Sequence, residues 1–327
     1  MTYTKASIKE FLGTVSPFDR LSDGVLTRLA DSAQLLRYRM GQPIVVRDTM
    51  PAHLSIIHQG QARFLGYDPR TDRPVTLERL SSGQVLGWVS LVRGLPCETA
   101  IASTETICLT IPANEFLGLM TGEAAFADGF RSRCSVVEVF ELLGGEIHRQ
   151  AIGNVDLKEL TFKAEPEAVV YNVPPGSIPS SQLERDRIWF VSGGGAIAQI
   201  PVGNRIDPTK QGQISVTGSF DARLIGFSSE LLTQATIRPN AATQDSQTVE
   251  TFGDVSNATV DLLPYAPDRP QEARGLPNFS SVQDAPARKN YPFIRGKGTL
   301  EGAMACFQML SRHLQLPFRR DVVRRVI

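Results

Sequence analysis

The chain has 327 residues, of which 42% are hydrophobic and 21% charged, the balance of an ordinary globular protein. Its 34 basic and 34 acidic residues cancel, which removes the electrostatic drive for non-specific nucleic-acid binding. At this length we expect about two or three compact modules, each with its own core.

The cysteines and the N-terminal residues indicate a reduced, cytoplasmic setting. The four cysteines are far apart and form no CxxC pair or His/Cys cluster with metal-ligand spacing: Cys97, Cys108, Cys134 and Cys306. The first residues lack the apolar core of a signal peptide, and no stretch approaches about 18 consecutive apolar residues. We therefore expect a soluble chain that needs no cofactor or metal ion.

Short helices followed by strands are predicted in the first half of the chain. Apolar residues recur at helical spacing through residues 7–36, with a break at Ser16-Pro17-Phe18 and a helix cap at Ser22. From Ile44 to Leu119 short alternating runs are separated by Gly and Pro, which predicts a β-roll or barrel. Residues 126–147 return to helical spacing, and we expect their apolar stripe to pack on the roll, with a homodimer interface as the alternative.

A second set of strands repeats two landmarks of the first. The stretches Ser55 to Ala62 and Leu109 to Phe116 match Trp189 to Ala196 and Leu224 to Leu231 in register. The interval between the landmarks is about 19 residues shorter in the second copy, which predicts a shortened roll without a ligand cassette. The run Gly193-Gly194-Gly195 is interpreted as a turn between strands, since no helix start follows it.

The last third of the chain changes in composition twice. Residues 236–290 are rich in Pro, Asn, Asp, Ser, Thr and Gln, as in Tyr265 to Pro270, which predicts a flexible, disordered linker. Beyond it Thr299 is placed to cap a helix with an apolar stripe, and Pro317 is placed to end that helix.

The first roll resembles the cyclic-nucleotide-binding domain family over about residues 10–147. The resemblance rests on these stretches: Phe11-Leu12 with Pro17 to Ser22, Tyr38 to Ile44, Gln59 to Ala62, and Gly83 to Trp88. It implies a jelly-roll-like β-roll with a regulatory ligand of the cyclic-nucleotide kind.

In that family a short helix and loop, reading roughly F-G-E-x-x-L-L-x-x-x-P-R-x-A, holds the cyclic phosphate. Here Trp88 stands where the family has its ribose-binding Glu, and Cys97 stands where it has its phosphate-binding Arg. The resemblance therefore implies a degenerate ligand cassette. Its predicted ligand-binding residues are Leu86, Gly87, Trp88, Leu91, Pro96, Cys97 and Thr99.

Loss of both charged partners speaks against ordinary cAMP binding. A phosphate without its guanidinium loses a charge-assisted bond worth roughly 1.5–3 kcal/mol. Two interpretations stay open. In the first, Arg93, Thr99 and free N–H groups form an altered ligand site; in the second, which we favour, the roll is a scaffold and Trp88 fills the empty pocket.

The C-terminal residues look like a junction in certain cyanobacterial peptide exporters of the ABC type. The stretches that carry this resemblance are Tyr291 to Gly296, Leu300 to Leu310, and Leu316 to Ile327. In those exporters cyclic-nucleotide-type rolls precede a bacteriocin-processing peptidase-like domain, membrane helices and an ATPase. The active peptidases open a helix with Cys in a C-G-x-A-C-L-x-M run, and Gly302 stands at that position here. The resemblance thus implies a truncated, inactive peptidase-like start.

The sequence as a whole predicts a mainly β fold with flanking helices in four parts. These are a cyclic-nucleotide-binding-like domain at 1–150, a second degenerate β-roll at 151–235, a disordered linker at 236–290, and a peptidase-like fragment at 291–327. The expected function is a non-catalytic regulatory segment of a peptide exporter, with its membrane and ATPase domains as partners. The alternative is a free-standing sensor of a nucleotide-like small molecule. DNA binding is not expected, because no helix-turn-helix follows the roll.

Overall fold

The computed structural model describes residues 3–71, 73–153, 155–207, 212–231 and 263–273. All of them belong to one structural unit, residues 1–282. The predicted helix after Thr299 and the peptidase-like motifs around Gly302 lie outside the described residues, as does most of the predicted linker. Within the described ranges no helix is long and apolar enough to cross a membrane.

Two short helices precede the strands, as the sequence predicts. Helix α1 (Lys5–Leu12) is followed by a 3-10 turn at Phe18–Arg20 and by α2 (Asp23–Ser32). The Ser22 hydroxyl accepts a hydrogen bond from the N–H of Val25 and caps α2, which confirms the predicted cap. The prediction of helix through residue 36 is wrong, because Gln34 to Tyr38 pair with a strand of the roll.

The strands of the first roll are β1 (Gln34–Tyr38), β2 (Pro43–Val45), β3 (His53–Gln59), β4 (Ala62–Asp68), β5 (Arg73–Leu80), β6 (Val85–Leu86), β7 (Thr99–Ala102) and β8 (Thr106–Pro112). They form two antiparallel sheets with strand orders β1-β8-β3-β6 and β2-β7-β4-β5. Their apolar side chains, together with those of the helices, form the main hydrophobic core. The predicted roll is thus present.

Five further helices flank the roll: α3 (Trp88–Arg93), α4 (Ala113–Gly122), α5 (Ala124–Arg131), α6 (Val136–Arg149) and α7 (Leu157–Ala164). The helix predicted over 126–147 is therefore two helices. Helix α5 ends at Arg131. Ser135 is the N-cap of α6 and forms a capping box with Glu138, which starts the second helix. The apolar side chains of both helices lie in the main core, so the stripe packs on its own roll as expected. A homodimer stays a prediction.

The second set of strands forms one five-stranded sheet. It contains β9 (Val169–Val173), β10 (Gly176–Pro179), β11 (Arg187–Ile197), β12 (Arg205–Ile206) and β13 (Gln213–Ser228), in the order β10-β13-β11-β12 with β9 also paired to β13. The landmark strands β11 and β13 pair antiparallel, as β3 and β8 do, but the register differs by one residue: Ser55 faces Thr110, whereas its counterpart Trp189 faces Gly226.

The two-sheet arrangement of the first roll is not repeated in the described part of residues 151–231. The second sheet has a small core of its own, built around Trp189, Val191 and Leu224. Other side chains of the same two strands, Phe190 and Phe227, belong to the main core. The second sheet therefore packs on the first roll while also holding a separate core. The proposed boundaries at 150, 235 and 290 stay predictions.

The predicted turn at Gly193-Gly194-Gly195 is wrong, since all three glycines lie inside β11. Bulges interrupt the pairing of β11 with β13 on both sides of Gly194, which has a positive φ of 74°. A Cβ atom at Gly193 would lie 2.5 Å from the carbonyl oxygen of Arg93. Glycine is needed here for a close approach to α3, not for a reversal of the chain.

The predicted disorder of residues 236–290 is wrong for residues 263–273, which we call the strap. The strap runs along the first roll, with isolated bridges between Arg37 and Tyr265 and between Pro51 and Glu272. Its backbone groups therefore find partners that a composition argument does not reveal. The remainder of the predicted linker lies outside the described residues.

Candidate ligand cassette

The cassette lies between β6 and β7, and the fold brings its predicted residues together around α3. Gly87 begins this helix with a φ of 88°, and Gly94 ends it with a φ of 68°. A Cβ at Gly87 would lie 3.0 Å from the carbonyl oxygen of His53, so the turn into α3 requires glycine. Most of the predicted residues are buried, namely Leu86, Gly87, Trp88, Leu91, Cys97 and Thr99, whereas Pro96 is half-buried.

A carboxylate that the sequence analysis missed lies at the start of α3. Glu98 has no exposed surface, and its two oxygens accept hydrogen bonds from the N–H groups of Gly87 (3.0 Å) and Ser90 (2.9 Å). Burial raises the pKa of Glu98 to about 7, against the lowering effect of these N–H donors. The first turn of α3 therefore already has an acidic partner within the chain.

Cys97, at the family's phosphate-binding arginine position, is a buried thiol. Its Sγ lies 3.5 Å from the hydroxyl of Ser90, and its N–H donates to the same hydroxyl over 3.2 Å. Burial raises the pKa of Cys97 well above its usual range, so the group stays a neutral thiol at physiological pH. It offers no positive charge to a phosphate.

Trp88, at the family's ribose-binding position, packs against the helices. Its side chain is 6% exposed, and its ring centroid lies 5.3 Å from that of Phe130 on α5. The guanidinium of Arg133 lies 5.7 Å from the centre of the Trp88 ring. This geometry matches the scaffold interpretation, in which the indole occupies space that a ligand would need.

The altered-ligand interpretation assigns Arg93 to a ligand site, but the side chain of Arg93 is buried within the protein. Arg93 is 2% exposed; its Nε donates to the carbonyl of Ser192 (2.9 Å) and its Nη1 to Glu141 (2.6 Å). These bonds tie the end of α3 to β11 and α6. Thr99 also serves the fold, since its hydroxyl accepts from the N–H of Arg47 over 3.2 Å. Both side chains thus have hydrogen-bond partners within the protein.

A fully buried ion pair connects β13 to the junction of α5 and α6. Arg223 donates to both carboxylate oxygens of Glu138 (2.8 and 3.0 Å) and to the carbonyl of Arg131 (2.8 Å). Burial opposes the charge of Glu138, but Arg223 outweighs it and holds the pKa at about 2. The Ser192 hydroxyl also donates to Glu138. Sequence reasoning missed this network because its members lie 85 positions apart.

A cavity of about 220 Å³ lies beside the cassette and is lined in part by Trp88. Its polar lining includes Glu78 and Gln84 from the roll, Arg133 from the α5–α6 junction, and Glu165. Burial and the nearby Glu165 carboxylate raise the pKa of Glu78. Nowhere in the described ranges do three His, Cys, Asp or Glu side chains gather as a metal site would require.

A match to a family model supports the fold of the first roll. The family described as "Cyclic nucleotide-binding domain" matches residues 35–136. The regulatory subunit of a cAMP-independent protein kinase A from Trypanosoma cruzi, bound to guanosine, is 18% identical (38% of this chain, 47% of that chain, TM-score 0.33). A cyclic nucleotide-binding-like protein from Brucella abortus is 24% identical (35% and 97%, TM-score 0.30). The sensor domain of the transcriptional regulator DNR from Pseudomonas aeruginosa is 14% identical (45% and 93%, TM-score 0.35).

This chain spans about half the length of the two trypanosomal regulatory subunits, 47% in one and 46% in the other. The family match covers the strands that form both sheets of the first roll, with the cassette in its middle. Residues 35–136 are therefore a cyclic-nucleotide-binding domain.

Proposed function

We propose that the chain is a non-catalytic, cytoplasmic regulatory segment of an ABC-type peptide or protein exporter. Its cyclic-nucleotide-binding domain is degenerate and works without an ordinary cyclic nucleotide. The observation that carries the second statement is the position of Glu98, whose carboxylate accepts from the N–H groups of Gly87 and Ser90.

A cyclic phosphate at the start of α3 would need the same N–H groups that Glu98 uses. It would also meet the negative charge of this carboxylate, with a neutral thiol at Cys97 and an indole at Trp88 in place of the family's charged partners. Binding would therefore require Glu98 to leave a fully buried position or to be protonated. Leaving the buried position is costly, and protonation becomes costly as the pH rises above about 7, so a nucleotide complex is weakened most above that pH.

The exporter context rests on the sequence. The motifs from Tyr291 to Ile327 resemble the start of the peptidase-like domain of these exporters, and Gly302 takes the place of its nucleophile. The partners are the membrane and ATPase domains, and the location is the cytoplasmic face of the inner membrane. The regulatory character agrees with the domain type found at residues 35–136.

Calorimetry tests the nucleotide part. The full chain is titrated with cAMP and with cGMP near pH 7.5, and no saturable heat is expected. A dissociation constant tighter than about 100 μM would contradict the proposal. The same titrations on Glu98→Ala, with folding checked by circular dichroism, show whether Glu98 is the obstacle.

Affinity purification tests the exporter part. The tagged full chain is recovered from gently solubilised membranes of the source organism, and an ABC protein with membrane and ATPase domains should purify with it. Matched tag-only cells control for carry-over. Recovery of the chain entirely from the soluble fraction, without such a protein, would contradict an exporter role.

The second candidate is a free-standing sensor of a nucleotide-like small molecule, and the cavity next to Trp88 favours it. A thermal-shift screen of non-cyclic nucleosides and nucleotides discriminates the two. A shift that Gln84→Ala abolishes would move the assignment to the sensor, since Gln84 lines this cavity and lies outside α3.

A further inference from the structure

The strap pairs with the first roll at two places. At the free edge of β1, the N–H of Arg37 donates to Pro264 O (3.1 Å), and the N–H of Ala266 donates back to Arg37 O (2.8 Å). Farther along the strap, the N–H of Ala52 donates to Gln271 O (3.1 Å), and that of Ala273 to Met50 O (2.9 Å). The first contact is a single parallel bridge to the edge of the sheet, the kind of backbone pairing that extended peptides extend when they bind an edge strand.

Side chains of the roll hold one aromatic residue of the strap in a defined way. The guanidiniums of Arg37 and Arg39 lie 4.7 and 4.0 Å from the centre of the Tyr265 ring. The Tyr265 hydroxyl donates to Glu105 over 3.3 Å. The amide of Gln42 donates to the next two carbonyls of the strap, over 2.9 and 3.0 Å. The surface therefore recognises both a tyrosine ring and the extended backbone around it.

The strap is held mainly by polar contacts. Ala266 is its one buried residue, at 4% exposure, and Tyr265 is 39% exposed. Leu263 and Ala273 pack partly buried against the main core, so the apolar area removed from water is modest and the hydrogen bonds must help to offset the entropy lost in ordering eleven residues. Prolines at 264, 267 and 270 reduce that loss because they restrict the free segment. We therefore expect the strap to open without unfolding of the roll.

The second place of pairing adjoins the cassette. The strap binds Met50 and Ala52, and the ring of Pro51 between them lies 3.6 Å from the position of a Cβ at Gly87. The carbonyl of His53 lies 3.0 Å from the same position. Residues 50–53 are thus in contact with the strap on one side and with the start of α3 on the other.

We infer that the edge formed by Arg37 to Gln42 and Met50 to Ala52 is a peptide-docking surface whose occupant is the chain's own strap, held reversibly. Residues 50–53 couple release of the strap to the state of the cassette. The use of this release to signal to an exporter rests on the proposed function; the docking itself does not.

Hydrogen exchange on the full chain, read by mass spectrometry, tests the docking. In wild type, the amides of Arg37, Ala52, Ala266 and Ala273 should exchange more slowly than in an unstructured peptide. Tyr265→Ala should speed their exchange about tenfold, and leave the β3–β8 amides unchanged. Tyr265→Phe keeps the ring between the arginines and should retain most of the protection. Tyr171→Ala, at a tyrosine of similar exposure (36% against 39%), is the matched control.

A rescue experiment addresses reversibility. A synthetic peptide carrying residues 263–273 is added to the Tyr265→Ala full chain, and protection at Arg37 and Ala52 should return in a saturable way. A peptide with the tyrosine replaced by alanine should not protect them. The docking inference is overturned by unprotected reporter amides in wild type, by wild-type exchange in Tyr265→Ala, or by failure of the peptide to protect.

Coupling is tested with Glu98→Gln, a change inside the cassette. Exchange at Ala52 and Ala273 should change severalfold, while exchange at the β3–β8 amides stays the same. Unchanged exchange at Ala52 would overturn the coupling. None of these exchange measurements uses a nucleotide or an exporter. Failure of the proposed function in the calorimetry or purification experiments can therefore be distinguished from failure of the docking inference.

Discussion

At the scale of single residues, the cassette differs from its family by more than two substitutions. The sequence reveals Trp88 and Cys97, because each stands at a position where the family has a charged partner. It does not reveal that Glu98 turns back onto the N–H groups of α3, since this depends on the path of the chain after Gly94. The signal available in the sequence is only an acidic residue close behind a helix that lacks an acidic first turn.

Glu98 should give the stability of the chain a characteristic pH dependence. Its folded pKa of about 7 lies above the ordinary value of 4.5, so the folded state binds more protons than the unfolded state between these values. The free energy of unfolding should therefore fall as pH rises through that window, by about 3 kcal/mol from this group.

Urea unfolding of wild type and Glu98→Gln, at about pH 5 and about pH 8, measures this contribution. The wild type should lose more stability between the two pH values than the variant does. The two proteins share all other titrating groups, so Glu98→Gln is the control for the pH dependence that those groups cause. Equal pH dependence in the two proteins would refute the role assigned to Glu98.

At the scale of elements, the sequence predicts whether a segment is helix or strand better than it predicts which other element the segment packs against. Alternation identifies the roll, and the repeated landmarks identify two strands that do pair, because both signals are local. The break between α5 and α6, the path of β11 through three glycines, and the docking of the strap depend on contacts between distant residues. Composition and periodicity carry no information about such contacts.

The contact between β11 and α3 makes Gly193 sensitive to the smallest substitution. In Gly193→Ala the new Cβ would meet backbone atoms of Arg93, which cannot move away without shifting the cassette helix. We expect a loss of about 1–3 kcal/mol in the free energy of unfolding, measured by urea titration. Gly212→Ala, where a Cβ meets nothing within 4 Å, is the control and should cost much less.

At the scale of the whole molecule, the second sheet is fastened to the first roll. Phe190 and Phe227 contribute to the main core, while Arg93 and Arg223 cross between the two parts in buried hydrogen bonds. Separating the two parts would leave these buried charged groups without their partners, which is costly in free energy. The described parts should therefore unfold together and not as separate domains.

The two tryptophans of the chain allow this to be measured, since Trp88 belongs to the first roll and Trp189 to the second sheet. Variants Trp88→Phe and Trp189→Phe each leave one reporter. In each variant, tryptophan fluorescence and far-UV circular dichroism should give the same urea midpoint. Midpoints that differ by about 1 M or more within one variant would show that the two parts unfold independently.

The position of the strap in the chain also has a consequence for biosynthesis. Ala266, which completes the edge of β1, follows its partner Gln42 by 224 positions. At a translation rate of about 5–20 residues per second, β8, the partner strand of β1 that ends at Pro112, emerges roughly 8–30 s before Ala266 of the strap. During that interval β1 is an open sheet edge next to other nascent chains. Arg39, whose exposed guanidinium later lies over Tyr265, meanwhile places a positive charge along this edge and discourages its pairing with another copy.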